Sequence, residues 1–179
     1  NILLGYFEPD AKVISLIKNC QYYSGSRIAN YSRFFIKKIF PELKKIIYLD
    51  TDMLVLDDIG KLWDSVELNE NNFFASPKYI WYHKLLYIKR LKYYFKYFNN
   101  SNFFNGGVFI TDLSYWNEEL YSKLYRITFE LIDQKVCHTF TEGILNSLFP
   151  NFIKLDPAWN CSGYGTPHLY PIIKTRDYN

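Results

Sequence analysis

The feature that most constrains the fold is a short apolar run, Ile46 to Leu49, that ends abruptly at Asp50. The run does not alternate with polar residues, so it predicts a strand buried on both faces, as in a parallel sheet. Upstream, the stretch from Ser26 to Phe40 carries apolar residues at a loose helical spacing and is closed by Pro41. A helix followed by a buried strand is the order typical of an α/β fold.

The rest of the chain continues this alternation. Strands are predicted at 73–75, 103–111 and 152–155, and helices at 78–98, 115–134 and 141–149. Asp57 and Asp58 are predicted to cap a short helical turn, and Thr141 to cap the last helix with Glu142 in its first turn. The strand at 103–111 contains Gly106 and Gly107, and a glycine pair within a strand indicates a bulge or a close approach of backbone to ligand.

Size and charge exclude several classes of protein. The 179 residues suffice for one globular domain and are too few for two ordinary ones. A formal charge of +3 is far from the concentrated positive field that nucleic acid binding needs, so we expect no nucleic acid partner. Cys20, Cys137 and Cys161 lie too far apart to indicate a disulfide scaffold or a zinc finger.

Asp50, Thr51 and Asp52 stand where the predicted strand ends. Ligands of open α/β sheets gather outside the carboxyl ends of strands. In an extended turn the first and third residues point the same way, so Asp50 and Asp52 can converge on Mn2+ or Mg2+ and leave positions open for diphosphate oxygens. Such a cation neutralises a departing diphosphate. The alternative is that the two acids merely cap a turn, because this spacing is common by chance.

Two ordered segments resemble the signatures of glycosyltransferase family 8, the group of glycogenin and the bacterial lipopolysaccharide galactosyltransferases. The first runs from Ser26 to Trp63 around Leu49-Asp50-Thr51-Asp52-Met53, and the second is Phe103 to Ile110 with Trp116 downstream. The resemblance extends from about Ser26 to Asn160. It implies a single α/β domain of the GT-A type, with a mostly parallel sheet flanked by helices.

The resemblance also implies a UDP-sugar donor, Mn2+ or Mg2+, and roles for individual residues. Asp50 and Asp52 would hold the metal. The donor would contact Arg33, Asp50, Thr51, Asp52, Asn105, Gly106, Gly107 and Thr141. Asn105 would lie against the donor sugar with the two glycines, for which a plain bulge is the alternative interpretation.

The segment Thr141-Glu142-Gly143-Ile144-Leu145-Asn146 departs from the family pattern. The family commonly has Asp-Gln where this chain has Thr141 and Glu142, whereas the tail of the motif matches. A carboxylate at the amide's place could stabilise positive charge on the anomeric carbon, or attack that carbon. The alternative is an acid at a helix N-terminus without a catalytic part.

A second departure concerns the ends of the chain. The family's opening strand and its closing His-x-x-Gly-x-Lys-Pro-Trp signature are missing, so we expect a fragment with weakened affinity for metal and donor. His168 fits the closing signature poorly and is interpreted as a loop residue, and His83 and His138 as structural residues.

The predicted helix Lys78 to Phe98 is basic and aromatic. It is interpreted first as a lid over the core, then as an acceptor-binding surface, and last as a helix at a membrane interface. No apolar run reaches the ~20 residues that cross a bilayer, which favours a cytoplasmic location for the chain as given. The sequons at Asn30, Asn99 and Asn160 would matter only in a secretory lumen.

The sequence thus predicts a metal-dependent retaining hexosyltransferase. It would move glucose or galactose from a UDP donor to a hydroxyl of a saccharide or protein acceptor, with Glu142 and Asn105 as catalytic residues. Two other classes stay open. One is a catalytically silent module that binds a nucleotide sugar, and the other is a nucleotidyltransferase, for which the chain lacks a Gly-rich phosphate loop.

Overall fold

A four-stranded sheet organises the residues that the computed structural model describes, which are 14–15, 29–78, 103–133 and 140–161. Its strands are β1 Lys45–Leu49, β2 Phe74–Pro77, β3 Val108–Asp112 and β4 Ile153–Leu155, in the order β1-β3-β2-β4. β3 pairs antiparallel with β1 and β2, whereas β2 and β4 run parallel. The described sheet is therefore mixed. The sequence predicted parallel pairing for the strand before Asp50, whereas β1 pairs antiparallel with β3.

The helices of the described residues are α1 Ile36–Ile39, α2 Ile59–Asp64, α3 Glu118–Asp133 and α4 Phe140–Leu148. Within the same described residues, three 3-10 turns cover Ser32–Phe34, Leu113–Tyr115 and Pro157–Asn160. The helix predicted from Ser26 to Phe40 is broken in its described part by the first of these turns. Tyr31, Arg33, Phe34 and Phe35 are all buried there, and a continuous helix could not bury four of five neighbours on one stripe.

The sheet buries side chains on both faces because β3 is apolar from Val108 to Ile110. Phe109 joins a large cluster with α3 and α4, whereas Val108 and Ile110 join a smaller one with Leu62 of α2. Each fully buried side chain of this size stabilises the fold by about 1.5–3 kcal/mol. Layers on both sides of a mixed sheet confirm the α/β class. A single domain stays a prediction.

The structure corrects two sequence-based predictions near the site. The strand begins at Val108 instead of Phe103, and Gly106 and Gly107 form a turn before it rather than a bulge within it. Thr141 is not the cap of the last helix, because α4 begins at Phe140 and Thr141 is already helical. Glu142 does lie in the first turn of α4, as predicted.

Other predicted elements are confirmed within one to three residues. Asp58 caps α2, with its Oδ1 accepting the Gly60 N–H at 2.8 Å. The predicted helix after Lys78 lies outside the described residues, as do His83, His138 and His168; Lys78 itself bridges to Phe104 in extended backbone. In the part of the chain that is described, no helix has the length and apolar character needed to cross a bilayer.

Candidate active site

Asp50 follows the last residue of β1 and is fixed on three sides. Its backbone N–H donates to the carbonyl of Gly107 at 2.9 Å, which extends the β1–β3 pairing by one residue. Its Oδ1 accepts from the Arg33 Nη2 and from the Tyr48 hydroxyl, each at 2.9 Å. Tyr48 lies two residues earlier on the same face of β1 and stacks on Phe109 at 4.6 Å between ring centroids. The carboxylate of Asp50 is therefore held before any ligand binds.

Arg33 joins the first signature to the second. Its Nε donates to the Asn30 carbonyl at 3.0 Å, its Nη1 to the Gly106 carbonyl at 2.9 Å, and its Nη2 to Asp50. The guanidinium also lies 4.8 Å from the centre of the Tyr48 ring. A buried arginine needs such partners, because an unpaired charge would cost several kcal/mol inside a protein (order of magnitude). Arg33 thus fixes the Gly106 turn beside Asp50.

The side chain of Asn105 folds back over the glycine turn. Its Oδ1 accepts from the Gly107 N–H at 2.7 Å and from Asn160 Nδ2 at 3.2 Å. A backbone N–H must meet an acceptor, so this contact requires the oxygen of the amide, not the nitrogen, to face Gly107. Asn105 Nδ2 is left to donate elsewhere.

The two glycines have no room for a side chain. A Cβ on Gly107 would lie 2.9 Å from Asn105 Oδ1 and 3.1 Å from Asp50 Oδ2. A Cβ on Gly106 would lie 2.7 Å from Leu145 Cδ1 and 3.2 Å from Arg33 Nη1. The sequence predicted a bulge or a close approach of the glycine backbone to a ligand. In the structure, this backbone lies close to side chains of the site.

Helix α4 docks on the same turn through Asn146. Asn146 Oδ1 accepts from the Phe104 N–H at 3.0 Å, and its Nδ2 donates to the carbonyls of Phe104 and Glu142, each at 2.9 Å. The side chain is buried, and it satisfies the N–H and the C=O of Phe104 where water has little access. Asn146 therefore sets the position of the helix that carries Glu142 against the segment that carries Asn105.

Glu142 carries a perturbed carboxyl group. Burial raises the pKa of Glu142 from 4.5 to about 7, with Arg33 lowering it and Asp50 raising it to smaller extents. Glu142 shares α4 with Leu145, whose Cδ1 lies against Gly106, and the Gly106 carbonyl is the one that Arg33 holds. A carboxyl group that titrates near neutral pH in such surroundings is a candidate for proton transfer or charge stabilisation.

The remaining predicted residues stand at the edge of this arrangement. Thr51 and Asp52 lie in an exposed turn after β1, and Thr141 lies in α4 with intermediate exposure. Asp52 joins Asp50 among the charges that raise the pKa of Tyr48 to about 12, after burial as the main cause. Both carboxylates therefore act on the Tyr48 hydroxyl.

A divalent cation fits this donor set in part. Asp50 Oδ1 is taken by Arg33 and Tyr48, so Oδ2 and the carboxylate of Asp52 are the oxygens that suit Mn2+ or Mg2+. Within the described ranges, no cluster of three or more His, Cys, Asp or Glu residues comes together as a metal site. Water and ligand oxygens would have to supply the other positions.

Three residues of this site, Tyr48, Asn146 and Asn160, are not predicted from the sequence patterns. Tyr48 has a signal in its position two residues before Asp50, since such residues share a face of a strand. Asn146 belongs to the matching tail of the Thr141 segment and lies within α4, and that match is its signal in the sequence. Asn160 was noted only as a sequon, and nothing local indicates its contact with Asn105, 55 residues away.

Comparison with known proteins identifies the family of the chain. Residues 6–177 match Glycosyl transferase family 8, and the chain belongs to that family. The Arabidopsis thaliana protein named "Probable galacturonosyltransferase-like 5" is 30% identical over 176 residues, which cover 92% of this chain and 47% of that protein. The chain spans about half the length of the curated relatives it matches.

Two solved structures share the fold. The galactosyltransferase LgtC, in complex with donor and acceptor sugar analogues, aligns with a TM-score of 0.53 and 24% identity over 76% of this chain and 46% of that one. The bifunctional glycosyltransferase WbbM without ligand aligns with a TM-score of 0.54 and 23% identity over 75% of this chain and 25% of that one. The fold of the chain is GT-A.

Proposed function

We propose that the protein is a retaining glycosyltransferase that moves a hexose from a UDP donor to a hydroxyl of a saccharide or protein acceptor. Membership of family 8 supports glycosyl transfer. The observation that carries the proposal is the fixing of Asp50 between Arg33 and the Asn105–Gly107 turn, at the carboxyl end of β1. Nucleotide ligands of α/β sheets bind at such strand ends.

The donor sugar is proposed to be glucose or galactose. LgtC is a galactosyltransferase, and the Arabidopsis relative is named for galacturonosyl transfer. Galacturonic acid therefore joins glucose and galactose among the donors that a test must include.

Mn2+ or Mg2+ would be held by Asp50 Oδ2 and Asp52. When bound, the cation supplies positive charge that stabilises a leaving diphosphate. Mutating Asp52 tests this more cleanly than mutating Asp50, because loss of Asp50 would also leave the buried Arg33 without its ion pair.

The chain's own residues bind and orient the donor in this proposal. The Nδ2 of Asn105 donates to an oxygen of the donor sugar, since its Oδ1 is already occupied. Arg33 serves donor binding from behind, because it holds Asp50 and the Gly106 carbonyl in place. Thr51 and Thr141 flank the donor. Prior fixing of these groups lowers the barrier through orientation and electrostatics.

Glu142 is proposed to act at the anomeric carbon. As a carboxylate it would stabilise positive charge there or attack the carbon, and either role is compatible with retention. The raised pKa of Glu142 means that ionisation is incomplete near pH 7, so activity through the carboxylate would rise with pH across that range.

A catalytically silent donor-binding module is the second candidate function. Thr141 and Glu142, which stand where the family commonly has Asp-Gln, favour it. Such a module and the enzyme can be told apart by experiment. The module would bind the donor sugar nucleotide but would neither hydrolyse it slowly nor transfer its sugar.

Calorimetry tests the proposal. UDP-glucose, UDP-galactose and UDP-galacturonic acid are titrated into the purified protein with and without Mn2+, then into Asp52→Asn and a matched control, Asp64→Asn, an exposed acid at the end of α2. We expect binding of one donor that depends on Mn2+ and is weakened at least tenfold by Asp52→Asn alone. Binding indifferent to both metal and mutation would remove the metal from the mechanism.

A further inference from the structure

Asn160 reaches the candidate site from the end of the described chain. It is the last residue of the 3-10 turn Pro157–Asn160, which follows β4. Asp156 fixes the start of this turn, since its Oδ1 accepts the Ala158 N–H at 2.8 Å and its carbonyl accepts the Trp159 N–H at 3.1 Å. Trp159 packs against the smaller core cluster. The turn that carries Asn160 is therefore held in place by the Asp156 cap and by the packing of Trp159.

The contact of Asn160 is directed at one atom. Its Nδ2 lies 3.2 Å from Asn105 Oδ1 and 3.5 Å from the Asn105 carbonyl, so the shorter contact is the hydrogen bond that counts. Gly107 donates to the same Oδ1 at 2.7 Å. Two donors from different parts of the chain therefore converge on the oxygen of one side-chain amide.

This convergence matters because the terminal torsion of an asparagine has broad, roughly two-fold preferences. A single hydrogen bond to Oδ1 leaves the amide plane free to tilt about that bond. A second donor removes this freedom and fixes the direction in which Asn105 Nδ2 points. Rotamer freedom that is lost before a ligand binds need not be lost on binding, which favours orientation of the ligand.

We propose that Asn160 is a positioning residue that holds the amide of Asn105 so that its Nδ2 faces the donor sugar. The inference rests on the proposed function for its catalytic consequence, whereas its structural content concerns Asn105 alone. Asn160 needs no contact of its own with the donor in this role.

NMR of the unliganded protein tests the structural content. The variant Asn160→Leu removes the hydrogen-bond donor Nδ2 at nearly constant side-chain size. In this variant we expect the side-chain amide signals of Asn105 to broaden or double and the Gly107 amide signal to shift. Asn151→Leu is the matched control, an exposed asparagine in the turn before β4, at the opposite end of that strand. Unchanged Asn105 and Gly107 signals in Asn160→Leu would overturn the inference whether or not the protein is an active transferase.

A double-mutant cycle tests the catalytic consequence. Asn105→Asp keeps the oxygen that faces Gly107 and Asn160 but replaces the Nδ2 donor. We expect Asn160→Leu to lower kcat about tenfold with little change in KM, yet to cost less than twofold in the Asn105→Asp background. Equal losses in both backgrounds would show that Asn160 acts independently of Asn105 and would overturn the inference. Absence of turnover in the unmutated protein would instead count against the proposed function, with the NMR result still deciding the role of Asn160.

Discussion

Arg33 and Asp50 form an ion pair of 2.9 Å in which the arginine side chain is 6% exposed and the carboxylate 32% exposed. The pair is asymmetric, since the Asp50 carboxylate is partly exposed while the Arg33 side chain is buried. The same guanidinium holds the Gly106 carbonyl, so one residue connects the end of β1 to the turn before β3. The two signatures of the sequence thus meet at Arg33.

Arg33→Lys is expected to destabilise the fold and weaken donor binding together. A lysine has one charged nitrogen and cannot reproduce the three directed contacts of the guanidinium. We expect the free energy of unfolding to fall by about 1–3 kcal/mol, less than for a fully buried pair because Asp50 is partly solvated. Urea unfolding measures this change. Lys61→Gln, which breaks the exposed pair with Asp57, should leave stability unaltered and serves as the control.

Gly107→Ala is expected to impair donor binding more than Gly106→Ala does. The new Cβ at Gly107 would press on Asn105 Oδ1 and Asp50 Oδ2, whereas the Cβ at Gly106 would press hardest on Leu145, a buried core residue, and less on Arg33 Nη1. We expect Gly107→Ala to lower donor affinity about tenfold and Gly106→Ala mainly to lower stability, by about 1–3 kcal/mol. Calorimetry and urea unfolding on both variants separate the effects. Equal donor affinity in the two variants would contradict the assignment of Gly107 to the site.

Asn146→Leu is expected to be strongly destabilising. The variant leaves the N–H and C=O groups of Phe104 buried without their partners, which costs about 2–4 kcal/mol. Asn151→Leu, at an exposed position, is the control variant. Thermal unfolding of both variants measures the effect, and the control should have nearly the same midpoint as the unmutated protein. A loss below 1 kcal/mol for Asn146→Leu, on the order of a surface substitution, would show that Asn146 does not dock α4.

Glu142 is expected to make stability fall as pH rises. In the unfolded chain its pKa is near 4.5, whereas burial raises the pKa of Glu142 to about 7 in the fold. Its stabilising effect is fully present below about pH 4.5 and is lost as pH rises through 7, by about 3 kcal/mol. The difference in unfolding free energy between the unmutated protein and Glu142→Gln, measured by urea unfolding from pH 4.5 to 8, isolates this effect from other acids. A difference that does not vary with pH would show that the carboxyl group is solvated.

The sequence predicted the elements that depend on local patterns. β1 was readable from its unbroken apolar run, and the cap at Asp58 from residue type. The position of Asp50 followed from the end of that run. These features are set by residues within a few positions of one another, which is the range over which sequence patterns are informative.

The errors have long-range causes. The antiparallel pairing of β1 with β3 joins Leu49 to Val108, and the sequence between them does not reveal the direction of the second strand. Asn105 and Asn160 meet only because β2 pairs with both β3 and β4. Local sequence does not show that Gly106 and Gly107 form a turn, because the side chains that leave no room for a Cβ there, such as Leu145 and Asp50, lie elsewhere in the sequence.

In the proposed mechanism, the acids after β1 bind a cation together with a nucleotide sugar beside Arg33. Anomalous diffraction from crystals grown with Mn2+ and a UDP-sugar locates that cation. We expect one manganese peak at coordination distance, about 2–2.5 Å, from Asp50 Oδ2 and from Asp52, with donor diphosphate oxygens completing its shell. Manganese and donor bound away from both carboxylates, with Asp50 still engaged only by Arg33 and Tyr48, would contradict it.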